Sequence, residues 1–329
     1  MKYGTIPGVE QQVSRIFLGT ASAPFAAGED GSELIEAALS LGINALDTAR
    51  VYGLSENSLG RWLEKPGNRD RVVILSKCGH PAEDGTPRVN AREMRRDLET
   101  SLEALRTDRI DIYLLHRDDP EIPVGEIMEC FQRMKEEGRI RAFGGSNWTV
   151  GRIAEANAWA LAHGMTPMAV SSPQFGLASQ VKDPWGGNCV TLSGPGAAED
   201  RAWYRENRMA VVAYSSLGRG MMSGRVRSGD PEGAGKILDC YAREGFLYPE
   251  NLERLRRCEE LAALRGAAVP QMAMRWVFSQ ELNAFAVVST SSAARLAQNA
   301  EALELPLSPE EAAWLDLRRE SRGEGDSLS

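Results

Sequence analysis

Short apolar runs alternate with longer amphipathic stretches along the whole chain. Eight runs, at 16–19, 43–47, 72–77, 110–115, 140–144, 168–171, 209–214 and 285–288, have the length and apolar content of strands buried on both faces. Between them, apolar positions recur with helical spacing at 32–41, 55–63, 93–105, 126–135 and 150–161, from about 249, and at 293–303. A strand followed by a helix, repeated in this way, predicts parallel strands joined by right-handed crossovers. Such units build either an open doubly wound sheet or a closed (β/α)8 TIM barrel. No GxGxxG follows an early strand, and eight units in one chain favour the barrel. One α/β domain is therefore expected over 1–319, with a polar tail over 320–329.

Two connections are too long for simple turns: 172–200, rich in Pro, Gly and Ser, and 215–248, rich in Gly and Arg. They follow strands six and seven. Long loops after barrel strands gather at the C-terminal face and usually carry function.

Composition narrows the partners. The 329 residues hold 38 Lys+Arg against 46 Asp+Glu, a net charge of −8, with 43% hydrophobic and 26% charged residues. That is ordinary globular usage, which excludes a disordered or fibrous chain. The acidic balance argues against nucleic acid or an anionic membrane as partner, while a local basic pocket for a small anion remains open. Five well-separated cysteines with no CxxC pair suggest neither a disulfide framework nor a zinc site. Without an apolar leader or a run long enough to cross a bilayer, a cytoplasmic location is expected. His80 and His163, with no metal-binding neighbours in sequence, read as surface residues.

Side chains at the C-terminal ends of barrel strands converge on one pocket. Asp47 ends strand two, with Tyr52 just beyond it; Lys77 ends strand three and His116 follows strand four. A lysine closing an apolar strand needs a partner, and Asp47 can supply one. Its positive charge is expected to pull the Tyr52 phenol down from ~10, making it a proton donor to a carbonyl oxygen. Neutral His116 can hydrogen-bond the same oxygen. Each residue alone has a plainer explanation, as a helix cap or a packing residue, and Lys77 alone suits a Schiff-base lyase.

Asp47-Thr48-Ala49-Arg50-Val51-Tyr52-Gly53, Lys77, and Tyr113-Leu114-Leu115-His116-Arg117-Asp118-Asp119-Pro120 resemble the aldo-keto reductase superfamily. The resemblance continues through Gly138-Arg139-Ile140-Arg141-Ala142-Phe143-Gly144-Gly145-Ser146-Asn147-Trp148 and covers nearly the whole chain. It implies reversible hydride transfer between NADP(H) and an aldehyde or ketone, with no metal. Its tetrad falls on Asp47, Tyr52, Lys77 and His116, with Tyr52 the proton donor. It assigns Ser146, Asn147 and Gln174 to the nicotinamide amide and Tyr214 to the face of the nicotinamide ring. Ser215, Ser216, Leu217, Gly218, Arg219 and Gly220 would meet the pyrophosphate, and Ser289, Ser292, Arg295 and Asn299 the adenosine end. Many relatives carry Gly, Lys or Arg where Ser289 and Ser291 stand, so a single guanidinium leaves NAD open beside NADP.

Phe25, Trp148, Phe175 and Trp185, in loops beyond strand ends, are expected to wall the substrate pocket. The 172–200 loop, Gln174 aside, is expected to set substrate choice rather than cofactor binding. Two alternatives accompany this expectation: a cofactor-sensing regulatory subunit on the same scaffold, and the lyase using Lys77.

Overall fold

The computed structural model describes residues 1–322, in which eight parallel strands form a closed barrel. The strands are β1 (Ile16–Gly19), β2 (Ala45–Asp47), β3 (Val73–Cys78) and β4 (Ile110–Leu115). They continue with β5 (Ile140–Ser146), β6 (Val170–Ser172), β7 (Ala210–Ala213) and β8 (Asn283–Ser289). β8 closes the ring, with Val287 opposite Phe17 of β1 and Phe285 opposite Val212 of β7. The barrel chosen over the open sheet is the observed fold.

Strand residues alternate between two hydrophobic clusters, as the pleat requires. Phe17, Ala45, Val73, Leu75, Ile112, Leu114, Ala142, Val170, Ala210, Val212 and Phe285 fill the lumen. Ile16, Leu18, Leu46, Ile74, Tyr113, Leu115 and Phe143 face the surrounding helices. Gly144 permits close pairing of β5 and β6, because a Cβ there would lie 1.7 Å from the Val170 carbonyl oxygen.

The outer layer begins with α1 (Ser32–Ser40), α2 (Ser55–Leu63), α3 (Ala91–Leu105), α4 (Val124–Glu136), α5 (Val150–Ala162) and α6 (Ala198–Asn207). After β7 come α7 (Pro231–Ile237), α8 (Cys240–Phe246), α9 (Pro249–Leu264) and α10 (Val269–Phe278). α11 (Ala293–Glu301) and α12 (Pro309–Leu315) follow β8. The stretch 215–248 thus differs from a plain loop, because α7 and α8 lie within it. A two-stranded hairpin, Tyr3–Gly4 with Val13–Ser14, adds Ile6 and Val13 to the lumen cluster. Of the expected tail 320–329, residues 323–329 lie outside the described residues. No helix among the described residues is long and apolar enough to cross a membrane.

Candidate active site

The lumen parity that buries Ala45, Val73 and Leu75, Ile112 and Leu114 continues one step further to Asp47, Lys77 and His116. The same alternation therefore makes an apolar core below and turns three polar groups inward at its C-terminal end. All three are buried, at 4%, 3% and 8% exposure. Tyr52, half-buried on the loop after β2, completes the group.

Lys77 holds the four together. Its Nζ donates to Asp47 Oδ1 at 2.5 Å, to the Thr48 carbonyl at 3.0 Å and to Tyr52 Oη at 3.4 Å. An ammonium has three donors, and here each has an acceptor. Burial pushes Lys77 down, but Asp47 and Tyr52 outweigh burial and hold the ammonium above its ordinary range. Burial pushes the Asp47 carboxyl up against the pull of Lys77.

Tyr52 corrects the sequence expectation. Its hydroxyl is not drawn down toward neutrality: burial raises it, and the attraction of Lys77 only partly offsets that. The phenol therefore stays protonated. His116 stands edge-on to it, with ring centroids 5.7 Å apart. Burial, then Lys77, Arg117, His80 and Arg50, drives the imidazole well below its ordinary value, so it is neutral. Its Nδ1 is buried with no hydrogen-bond partner among the described residues.

His80, read from sequence as a surface residue, is half-buried against His116 with centroids 5.0 Å apart. His80 Nδ1 lies 3.0 Å from the Pro81 carbonyl, which can only accept, so that nitrogen carries the hydrogen. His163 is exposed and stacks on Trp159 at 3.9 Å. No His, Cys, Asp or Glu cluster suited to a metal ion occurs among the described residues.

On the β5–β7 side, Ser146 Oγ donates to the Ser172 carbonyl at 2.8 Å. Asn147 Nδ2 donates to Ser146 Oγ at 3.1 Å, and its Oδ1 accepts from Tyr214 Oη at 2.7 Å. Asn147 takes a left-handed φ of 61° to do so. Gln174 is fully buried: its Oε1 accepts from Thr191 Oγ1 at 2.5 Å and its Nε2 donates to the Ala178 carbonyl at 3.4 Å. One N–H of the amide and one lone pair remain unused, but with no exposed surface Gln174 meets a ligand only if its surroundings shift.

After Tyr214, Ser215, Gly218, Arg219 and Gly220 have φ of 48°, 58°, 50° and 103°. Successive residues of this kind turn backbone N–H groups to one side, which suits an anion. Leu217 is half-buried in this loop, and Ser216 Oγ donates to the Val287 carbonyl at 2.8 Å. The Arg219 guanidinium pairs with Asp239 at 2.9 Å and lies over the Trp185 and Tyr241 rings at 5.7 and 5.1 Å. At the far end, Ser289 is exposed and Ser292 caps α11, its Oγ accepting from Arg295 N at 3.4 Å. Arg295 is exposed without an acid partner among the described residues. Asn299 is buried with its Oδ1 unpartnered among those residues.

Three of the four expected wall residues are corrected. Phe25, Trp148 and Phe175 are at most 1% exposed and belong to the layer between barrel and helices. Trp148 packs where Gly145 leaves room, and Phe175 lies 5.4 Å from Trp276. Side chains so placed have no surface to offer a ligand. Trp185 is half-buried, with its ring 6.2 Å from Tyr214 and 6.1 Å from Tyr241. Val51 and Leu54, flanking Tyr52, are 37% and 53% exposed, an apolar rim that sequence reasoning did not single out.

At the mouth of the parallel barrel a buried lysine thus lies between a carboxylate and a phenol, beside a neutral imidazole, an arrangement with the chemistry to protonate an oxygen. The model of the aldo/keto reductase family matches residues 15–317. The chain belongs to that family of oxidoreductases. It is similar to aldo-keto reductase str7 of Strobilurus tenacellus, with 26% identity covering 89% of this chain and 82% of that protein. Similarity to aldo-keto reductase YhdN of Bacillus subtilis is 28% over 85% of this chain and 82% of YhdN. Aldo-keto reductase yakc [NADP(+)] of Schizosaccharomyces pombe is 27% identical over 85% of this chain and 79% of its own length.

Proposed function

We propose that this protein reduces an aldehyde or ketone with NADPH, reversibly, using Tyr52 as proton donor. The observation that carries this is the Lys77 ammonium held by Asp47 at 2.5 Å and directed at Tyr52 Oη at 3.4 Å.

The residues toward the cofactor fit a dinucleotide. Asn299 Oδ1 is buried and lacks a partner among the described residues, and the 215–220 loop has the left-handed turns of an anion cradle. Ser146, Asn147 and Tyr214 would hold the nicotinamide end, with Gln174 joining through its unused N–H if its surroundings open. Ser215, Ser216, Leu217, Gly218, Arg219 and Gly220 would hold the pyrophosphate, and Ser289, Ser292, Arg295 and Asn299 the adenosine end. The name of the fission-yeast relative, which includes NADP(+), supports that cofactor. When bound there, NADPH would supply the hydride for the carbonyl carbon.

The chain's own residues do the rest. His116, neutral, donates a hydrogen bond to the carbonyl oxygen and orients it. Tyr52 Oη gives that oxygen its proton as the carbonyl becomes an alcohol. The phenolate so formed lies beside Lys77, which stabilises it and is itself held by Asp47. In the oxidative direction the same phenolate takes the proton back.

The Schiff-base alternative needs a neutral lysine amine. Lys77 is instead held as an ammonium with all three donors engaged. A regulatory subunit that only senses the cofactor would turn over little, and measured turnover separates it. The test is Tyr52→Phe with saturating NADPH: kcat is expected to fall at least a hundredfold while NADPH affinity changes less than threefold. Retention of more than a tenth of kcat limits the hydroxyl to under ~1.4 kcal/mol and rejects the proton-donor role.

A further inference from the structure

One cation at the barrel mouth has no part in the proton transfer. Arg117 directly follows His116, so its Cα is about 3.8 Å from that of His116. It is half-buried, and its Nη1 donates to the His116 carbonyl at 3.1 Å. Among the described residues no carboxylate pairs with it. The two acids that follow it in sequence are taken elsewhere. Asp118 pairs with Arg152 at 3.1 Å, and Asp119 Oδ1 accepts from the Glu121 N–H at 3.2 Å.

The surroundings leave this charge uncancelled. It lies within electrostatic reach of Tyr52, His116, His80, Cys189 and Tyr214. Two further guanidiniums on this side are already committed: Arg50 pairs with Asp97 at 2.8 Å, and Arg88 pairs with the same Asp97 and with Glu93 at 2.6 Å. His80 adds no charge, because burial holds its imidazole below the ordinary range. A protein with a net charge of −8 therefore places one unpaired positive group next to its reactive histidine.

A partly buried guanidinium has lost water without gaining an anion, which leaves room for a ligand to supply one. Its planar fork matches a carboxylate in a two-bond pairing. A single free guanidinium balances a monoanion, whereas a phosphate dianion calls for a second cation, and Arg50 and Arg88 are occupied. We infer that Arg117 is a specificity-determining residue that binds a carboxylate on the carbonyl substrate, so the preferred substrates are aldehyde or keto acids. This rests on the reductase function proposed above.

The experiment compares initial rates with NADPH for 3- and 4-carboxybenzaldehyde, each beside its methyl ester. In the wild type, kcat/KM for at least one acid is expected to exceed that of its ester at least tenfold, mainly through KM. Arg117→Met should reduce that ratio at least tenfold, equivalent to about 1.4 kcal/mol. Arg117→Lys, which keeps the charge and loses the fork, should retain part of it. An acid-to-ester ratio of one or below in the wild type overturns the inference without any variant, as does a ratio that Arg117→Met leaves unchanged. Glyceraldehyde 3-phosphate beside glyceraldehyde is the control pair. A larger preference for the phosphate, lost in Arg117→Met, overturns the carboxylate assignment in favour of a phosphate. If no acid, ester or neutral aldehyde oxidises NADPH, the reductase function fails and the inference fails with it.

Discussion

His116 is a neutral imidazole in a crowd of positive charge, and that has a cost in acid. Its folded pKa lies well below the ordinary 6.5, first through burial and then through Lys77, Arg117, His80 and Arg50. Below pH 6.5 the unfolded chain takes up a proton that the folded site refuses. Stability is therefore intact above that pH and falls as pH drops toward the depressed folded value, by at most ~1.4 kcal/mol per pH unit. Urea unfolding from pH 7.5 to 5.0 checks this: the wild type should lose stability faster than His116→Gln. Superimposable pH profiles would contradict it. His80 is shifted in the same direction and is present in both proteins, so the difference isolates His116. At this scale the sequence identifies the four groups, because polar residues at successive strand ends are conspicuous. It misjudges the Tyr52 shift, because the balance between burial and Lys77 is set by the packed pocket. Arg117 stands inside the motif that identifies the family, yet its lack of a partner is visible only once Asp118 is seen bound to Arg152.

The two long connections act as one unit. Asp183 fastens the first: its Oδ1 accepts from Trp185 N at 2.8 Å and its Oδ2 from Gly187 N at 2.9 Å and Cys189 N at 3.0 Å. Trp185 then stacks on Tyr241 of α8 and lies under the Arg219 guanidinium from the second connection. Trp185 thus lies 5.7 Å from Arg219, which the proposed cofactor site places at the pyrophosphate, so a cofactor effect is expected from 172–200 beside substrate choice. Trp185→Ala removes an aromatic pair worth about 0.5–1.5 kcal/mol and a cation–π contact worth about 0.5–1 kcal/mol. NADPH affinity, titrated by fluorescence, should fall about threefold to thirtyfold, and KM for bulky carbonyls should rise as well. A rise in KM with unchanged NADPH affinity would return the loop to substrate selection only. The start of α11 gives a separate prediction. Arg295 is exposed without an acid partner among the described residues, so Arg295→Ala should weaken NADPH by roughly 1.5–3 kcal/mol and NADH much less. An unchanged NADPH/NADH ratio would remove Arg295 from the 2′-phosphate.

At the scale of the whole molecule, the barrel is legible because its strands are sealed on both faces and therefore read as continuous apolar runs. All eight begin within two residues of the positions expected from sequence, as at Val73 and Ala210. Among the pieces missed, the two-residue hairpin strands and the seven-residue α7 and α8 are too short to show a period, and the ten-residue α6 buries only Arg201 and Tyr204 and so shows no apolar stripe. α10 is buried almost all round and so lacks a polar face to mark it as a helix. α12 carried a usable signal in the capping box of Ser308 and Glu311, where each residue satisfies the other's backbone N–H.

The pairing of β8 with both β1 and β7 also sets an order of assembly. β1 leaves the ribosome before its closing partner, with roughly 260 residues between them. At about 5–20 residues per second, that interval lasts on the order of 13–50 s. Through it, the edge of β1, and later that of β7, has no strand to pair with and can recruit one from another nascent chain. A chain cut before Asn283 keeps both edges open for good.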